Sequence, residues 1–159
     1  TSENIREIMK NYDFVIDGTD NFRSKFLIND ACFFERKPFS HGGILRFFGQ
    51  TMTIIPGETA CYRCVFNAPP PKDAVPTCSQ AGILGSVAGI LGTIQATEAL
   101  KFLTGVGELL VDTLLTFDAK TFYFRKINLK KQESCRLCGS KPEIIILKDE
   151  EDVVCDLKK

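Results

Sequence analysis

Phe14-Val15-Ile16-Asp17-Gly18-Thr19-Asp20-Asn21, running on into Phe22-Arg23-Ser24-Lys25, is the stretch that decides the fold. Three apolar residues without polar alternation read as a strand buried on both faces, the signature of a parallel sheet. The polar run then falls at the strand's carboxyl end. A helix over Phe22 to Arg36 follows, with Phe22, Phe26, Leu27, Ala31 and Phe34 turned inward, until Lys37-Pro38 stops it. Upstream, Ile5, Ile8, Met9 and Tyr12 lie on one face of a short helix that Ser2 can cap. Helix, strand, polar turn and helix make an α/β pattern.

From Phe39 the grammar changes. Ile44 to Phe48 and Thr51 to Ile55 read as antiparallel strands joined at Gly49-Gln50, with Pro56-Gly57 closing the second. Residues 57–80 form a long loop carrying Cys61, Cys64, Cys78 and Pro69-Pro70-Pro71, and a loop of that length in a compact domain is usually functional. A helix over about Ile83 to Leu103 presents Ile83, Val87, Ile90, Leu91 and Ile94. Its glycines at 82, 85, 89 and 92 remove bulk, as where another backbone packs closely. Thr113 to Phe117 and Phe122 to Ile127 flank Asp118-Ala119-Lys120 as a hairpin, and Glu143 to Leu147 reads as a last strand. No internal repeat interrupts this order, so residues 1–159 read as a single domain.

Composition narrows the partners. Twenty basic residues cancel twenty acidic ones among 159 residues, so charge points to neither nucleic acid nor an acidic membrane. The uncharged stretch Ala81 to Thr97 is broken by Ser86, Thr93, Gln95 and four glycines, and falls short of a membrane span. Seven cysteines are an odd number and no basic, apolar leader precedes them, which suits metal thiolates in a reducing, cytoplasmic setting.

The strongest chemical signal is Cys61-Tyr-Arg-Cys64 with Cys135-Arg-Leu-Cys138. Two residues between thiols let both sulfurs face one ion, and two such knuckles complete the closed tetrahedral set of a structural zinc. A redox dithiol is the competing reading. Gly139 eases the turn after the second knuckle. Carboxylates past a parallel strand, as in Asp17-Gly-Thr-Asp20-Asn21, can hold Mg²⁺ and phosphates, but Asp and Asn also cap helices. Cys78, outside both knuckles and just before a helix, is either an inert thiol or one whose pKa is lowered. His41, the lone histidine, reads as structural, and no G-x-G-x-x-G or Walker motif occurs.

Asp17-Gly-Thr-Asp-Asn-Phe-Arg-Ser-Lys25, Cys61-Tyr-Arg-Cys64, Thr77-Cys-Ser-Gln-Ala-Gly-Ile-Leu-Gly85, Gln95-Ala-Thr-Glu-Ala-Leu-Lys101, Phe117-Asp-Ala119 and Cys135-Arg-Leu-Cys-Gly139 occur in one order. Together they resemble the ThiF/MoeB/HesA family, relatives of the ubiquitin-activating enzymes, from about Asn4 to Cys155. The resemblance implies a Rossmann-like, doubly wound sheet, parallel at the start and antiparallel later. It implies ATP-dependent adenylation of a small ubiquitin-fold sulfur carrier ending in Gly-Gly, of molybdopterin or thiamine type, by a homodimer. Asp20 matches the family's magnesium and ATP aspartate, with Asn21 in the same motif. Lys25 stands where the family usually has Arg, with Arg23 nearby. The knuckle cysteines match its zinc ligands, and Cys78 the loop cysteine that some members use for sulfur or thioester chemistry.

The family's nucleotide-binding glycine motif and its catalytic arginine and lysine lie upstream of the matching region. The chain therefore reads as the later portion of such an enzyme, with ATP and Mg belonging to the longer parent and the fragment alone inactive. A non-catalytic, zinc-stabilised module for dimerisation or carrier binding is the alternative. A nicotinamide-dependent oxidoreductase is disfavoured by the missing dinucleotide motif.

Overall fold

The computed structural model describes residues 1–71, 74 and 81–150. Nine elements follow in order among them: α1 (Ile5–Met9), β1 (Val15–Asp17), α2 (Phe22–Phe34), β2 (Phe39–Leu45), β3 (Phe48–Ile54), α3 (Tyr62–Val65), α4 (Gly85–Thr104), β4 (Thr113–Asp118) and β5 (Tyr123–Asn128). The strands form one sheet in the order β1-β2-β3-β4-β5. β1 and β2 pair parallel, with Asp17 opposite His41, and every later pair is antiparallel. The α/β class and the change from parallel to antiparallel pairing are as the sequence implies. Among the described residues no helix is long and apolar enough to cross a membrane.

Helices cover both faces. α4 lies on one, where Glu98 accepts a hydrogen bond from Thr53 at 2.7 Å. α2 and α3 lie on the other, where the His41 and Tyr62 rings sit 4.6 Å apart. The second face holds the main core: Phe26, Phe39, Met52, Ile54, Tyr62 and Leu137 cluster with Cys61, Cys135 and Cys138. The thiols are thus part of the hydrophobic core.

Several local expectations need correcting. The β2–β3 turn is at Arg46-Phe47, with Leu45 opposite Phe48 and Arg46 at a φ of 56°. Gly49 instead sits inside β3, where an added Cβ would lie 3.2 Å from Phe117 and 3.5 Å from Leu91 and Val87. That glycine marks close packing under α4, which looks the same as a turn in sequence. Ser2 caps nothing: its hydroxyl donates to Asp149 at 2.8 Å, and α1 has no side-chain cap. Of the expected stripe on α1, Met9 is buried while Ile8 and Tyr12 are exposed.

β1 is the outer strand of the described sheet, so Ile16 on its α4 side stays 47% exposed instead of buried. Residues 143–147 form no strand. The Glu143 and Ile144 amides both donate to the Arg136 carbonyl, closing back on the second knuckle, and Ile145 and Ile146 remain exposed. α4 ends at Gly105, whose φ of 69° is the left-handed helix cap that glycine adopts most cheaply. Along α4 a Cβ at Gly85, Gly89 or Gly92 would meet nothing within 4 Å, so the closely packed backbone expected there is not found among the described residues.

Candidate functional site

The first knuckle opens α3. The Ala60 amide before it donates to Asp112 at 2.7 Å, and Cys61 occupies the cap position of the four-residue helix. α2 then grips this segment from the side. Asn29 accepts a hydrogen bond from the Tyr62 amide at 2.9 Å, and Asp30 takes a two-pronged contact from the Arg63 guanidinium at 2.8 and 2.7 Å. Arg63 also lies 4.6 Å above the Phe26 ring. Asn29, Asp30 and Arg63 are all buried, and a buried charge pair is tolerable only with this completeness of pairing.

The second knuckle meets the first. Cys61 and Cys64 sulfurs are 3.8 Å apart, Cys61 and Cys135 are 3.6 Å apart, and Cys64 and Cys138 are 3.4 Å apart. All four lie within 4.8 Å of one another. A tetrahedron with zinc–sulfur bonds of about 2.3 Å has edges of about 3.8 Å, so the donor set and its spacing fit that ion. As bare thiols they compete for one negative charge. Hydrogen bonds from Cys138 and Cys61, and then the Gln132 amide, pull the Cys64 thiol down, whereas hydrogen bonds with Cys138 and Cys64 and then burial push Cys61 up. A divalent cation removes that conflict by replacing protons at every sulfur. Gly139 fits as expected but for reasons of space: a Cβ there would stand 2.4 Å from the Glu133 carbonyl and 2.5 Å from that of Cys135.

The other site is the loop after β1. Asp17 itself is buried, at 1% exposure. Its Oδ1 accepts from the Thr19 amide at 3.0 Å and hydroxyl at 2.7 Å, and its Oδ2 from Lys25 Nζ at 3.1 Å and His41 Nδ1 at 3.0 Å. Burial alone would raise its pKa. The His41 hydrogen bond and the Lys25 charge outweigh that and hold it at about 2. Burial keeps His41 neutral, and its Nε2 is a buried nitrogen without a partner among the described residues.

Past this anchor the loop turns outward. Asp20 and Asn21 are exposed. Asn21 Oδ1 accepts from the Ser24 amide at 2.8 Å and so caps α2, while its Nδ2 faces Asp20 at 3.4 Å. Arg23 is on the same first turn, 3.5 Å from Asp149. Lys25 is turned inward, bonded to Asp17 and the Gly42 carbonyl. Cys78 lies outside the described residues.

Sequence reading passed over Asp17's partners and the buried polar groups Asn29, Asp30, Gln95 and Glu98. The available signal was position: Asn29-Asp30 sits between Phe26 and Ala31 on the inward side of α2, and Gln95 and Glu98 continue the Val87 and Leu91 stripe of α4. Polar residues at such places are rare unless each has a partner.

Comparison with known proteins places the chain. The adenylyltransferase and sulfurtransferase MOCS3-1 of Drosophila pseudoobscura pseudoobscura is 41% identical over 151 residues, 94% of this chain and 34% of that protein. The sulfur carrier protein adenylyltransferase of Thermus thermophilus is 42% identical over 147 residues, 89% of this chain and 54% of that protein. The chain thus spans between a third and about half the length of these relatives. Among solved structures, E. coli MccB with MccA-N7isoASN superposes with a TM-score of 0.70 at 15% identity, covering 88% of this chain and 44% of that one, a likeness of fold. The sequence model of the ThiF family matches residues 1–137, and the chain belongs to that family.

Proposed function

We propose that this chain supplies part of the active site of an ATP-dependent enzyme that adenylates the C-terminal glycine of a small ubiquitin-fold sulfur carrier ending in Gly-Gly, of molybdopterin or thiamine type. The observation that carries the reading is an exposed carboxylate, Asp20, held at the carboxyl end of a parallel strand, in a chain more than 40% identical to two adenylyltransferases. Crevices at such strand ends are where open α/β sheets bind their ligands.

In this reaction the carrier carboxylate attacks the α-phosphorus of ATP, an acyl-adenylate forms, and pyrophosphate leaves. An anion must approach an anion, so the work is positioning and charge neutralisation. Magnesium at the site would neutralise phosphate charge, and the Asp20 carboxylate is the hard oxygen donor suited to it. Asn21 spends its carbonyl on the helix cap and one amide hydrogen on Asp20, and its second amide hydrogen is the donor offered to a phosphate oxygen. Arg23 is the cation at the mouth, and Lys25 serves from behind through Asp17. The four knuckle cysteines, Cys61, Cys64, Cys135 and Cys138, hold a structural zinc. Cys78, between α3 and α4 in sequence, is a candidate thiol for later sulfur or thioester chemistry. Homodimer formation finds support in the glycine face of α4, which nothing covers among the described residues.

The remaining phosphate contacts belong to residues outside the stretch matched in the relatives. Oriented donors and cations are each worth several kcal/mol in a transition state, so residues 1–159 alone should fall short by a factor on the order of 10⁴ or more. The test is carrier-dependent ATP–pyrophosphate exchange by the full-length protein beside residues 1–159. Exchange by the former and none by the latter supports the reading. Robust exchange by residues 1–159 would misplace the active site, and an inactive full-length protein would leave a carrier-binding or dimerisation module.

A further inference from the structure

We propose that Asp17, held by Lys25, His41 and Thr19, is a positioning residue that sets the Asp20 loop for metal and phosphate binding. This rests on the role given to Asp20 above.

The first argument is chemical. Asp17 is 1% exposed, a place where an apolar residue would cost less, because taking a carboxylate out of water is expensive even when it is well paired. His41 adds to the cost. It gives its Nδ1 proton to Asp17 and leaves Nε2 buried without a partner among the described residues, a group whose desolvation is uncompensated. Stability alone does not account for such a pair.

The second argument is geometric. The bonds on Asp17 have two destinations. Lys25 and His41 fix Oδ2 to the rest of the fold, since Lys25 also reaches the Gly42 carbonyl on β2, and Gln95 Nε2 donates to the Asp17 carbonyl at 3.0 Å. Oδ1 points the other way and takes both the amide and the hydroxyl of Thr19, the residue just before Asp20. From the other side Asn21 is fixed as the cap of α2. Asp20 is therefore held between two anchored neighbours, and the anchor upstream is Asp17. A carboxylate meant to meet a metal ion needs that constraint, because Mg²⁺ demands near-ideal oxygen geometry.

The readout is affinity for ATP, with and without magnesium, in the full-length protein. Thr19→Val removes one hydrogen bond to Asp17 at a half-exposed position, and Lys25→Met removes the buried counter-charge. We expect Thr19→Val to weaken Mg·ATP binding a few-fold and Lys25→Met roughly tenfold, the range of coupling between contacting groups. Binding of metal-free ATP in a chelator should change by less than about twofold, since only the metal-linked contact passes through Asp20. In an Asp20→Asn background the Thr19→Val effect should vanish.

Equal losses with and without magnesium, or an undiminished loss on Asp20→Asn, would make Asp17 merely structural and overturn the proposal. No loss from Thr19→Val where Asp20→Asn is itself impaired would overturn it as well. Asp20→Asn with unchanged Mg·ATP affinity would instead remove the Asp20 reading on which it stands. Should Lys25→Met fail to fold, Thr19→Val alone decides.

Discussion

The thiolate cluster and the loop after β1 are joined by one helix and built on opposite plans. At the cluster everything points inward: three of the four cysteines are buried, and Asn29 and Asp30 of α2 lock the first knuckle in place. At the loop Asp17 is buried, at 1% exposure, while Asp20 and Asn21 lie in solvent. The contrast suits one site to holding the fold and the other to the proposed chemistry. A closed four-sulfur site leaves no position for a substrate, whereas Asp20 is exposed at the carboxyl end of β1.

The contrast breaks most visibly at the metal. Purified protein should contain one zinc per chain, and chelation or Cys61→Ser should cost several kcal/mol and unfold much of the α2 and α3 side, because the sulfurs belong to the core there. Elemental analysis and thermal melting check this, and protein without a thiolate metal would refute it. Next in size is Asp30→Ala, which removes the buried, two-pronged partner of Arg63 and leaves its guanidinium only the part-exposed Glu150 carboxylate. Removing one partner of a buried pair costs about 3–5 kcal/mol, readable as a lower denaturation midpoint.

A smaller effect sharpens the loop side. Asp17 has a pKa of about 2 in the folded protein against an ordinary 3.8, so the unfolded chain binds its proton first as pH falls. Its contribution is complete above about pH 4 and is lost between about pH 4 and 2, amounting to about 2 kcal/mol. Denaturant titrations across that window should fall less steeply for Asp17→Asn than for the parent, and an unchanged slope would mean that the carboxylate is not held as described.

How much of this was legible in the sequence depends on whether neighbours in space were also neighbours in the chain. The strand, polar turn and helix at residues 14–34 are legible because apolar periodicity and caps are local signals. The knuckles are legible because two residues between thiols is itself the geometry. The β2–β3 turn is not, because Gly49 answers to Phe117, Leu91 and Val87, all distant in sequence. The apolar run Ile144-Ile145-Ile146-Leu147 misleads for the same reason. It has strand-like character but pairs with no strand among the described residues, and the Arg136 carbonyl takes the Glu143 and Ile144 amides. The inward turn of Lys25 needs Asp17 and Gly42 together, and spacing alone does not show that a cation eight residues after a carboxylate faces the core.

The claim that one site holds the fold while the other does the chemistry is tested most directly by Asp20→Asn in the full-length protein, with carrier-dependent ATP–pyrophosphate exchange and the melting midpoint measured on the same sample. An exposed carboxylate contributes little to folding, and a metal contact in the transition state contributes several kcal/mol. The account predicts exchange reduced by on the order of 100-fold or more, with stability within about 0.5 kcal/mol of the parent. Exchange that survives the substitution, or a loss of exchange that merely tracks a loss of stability, would contradict it.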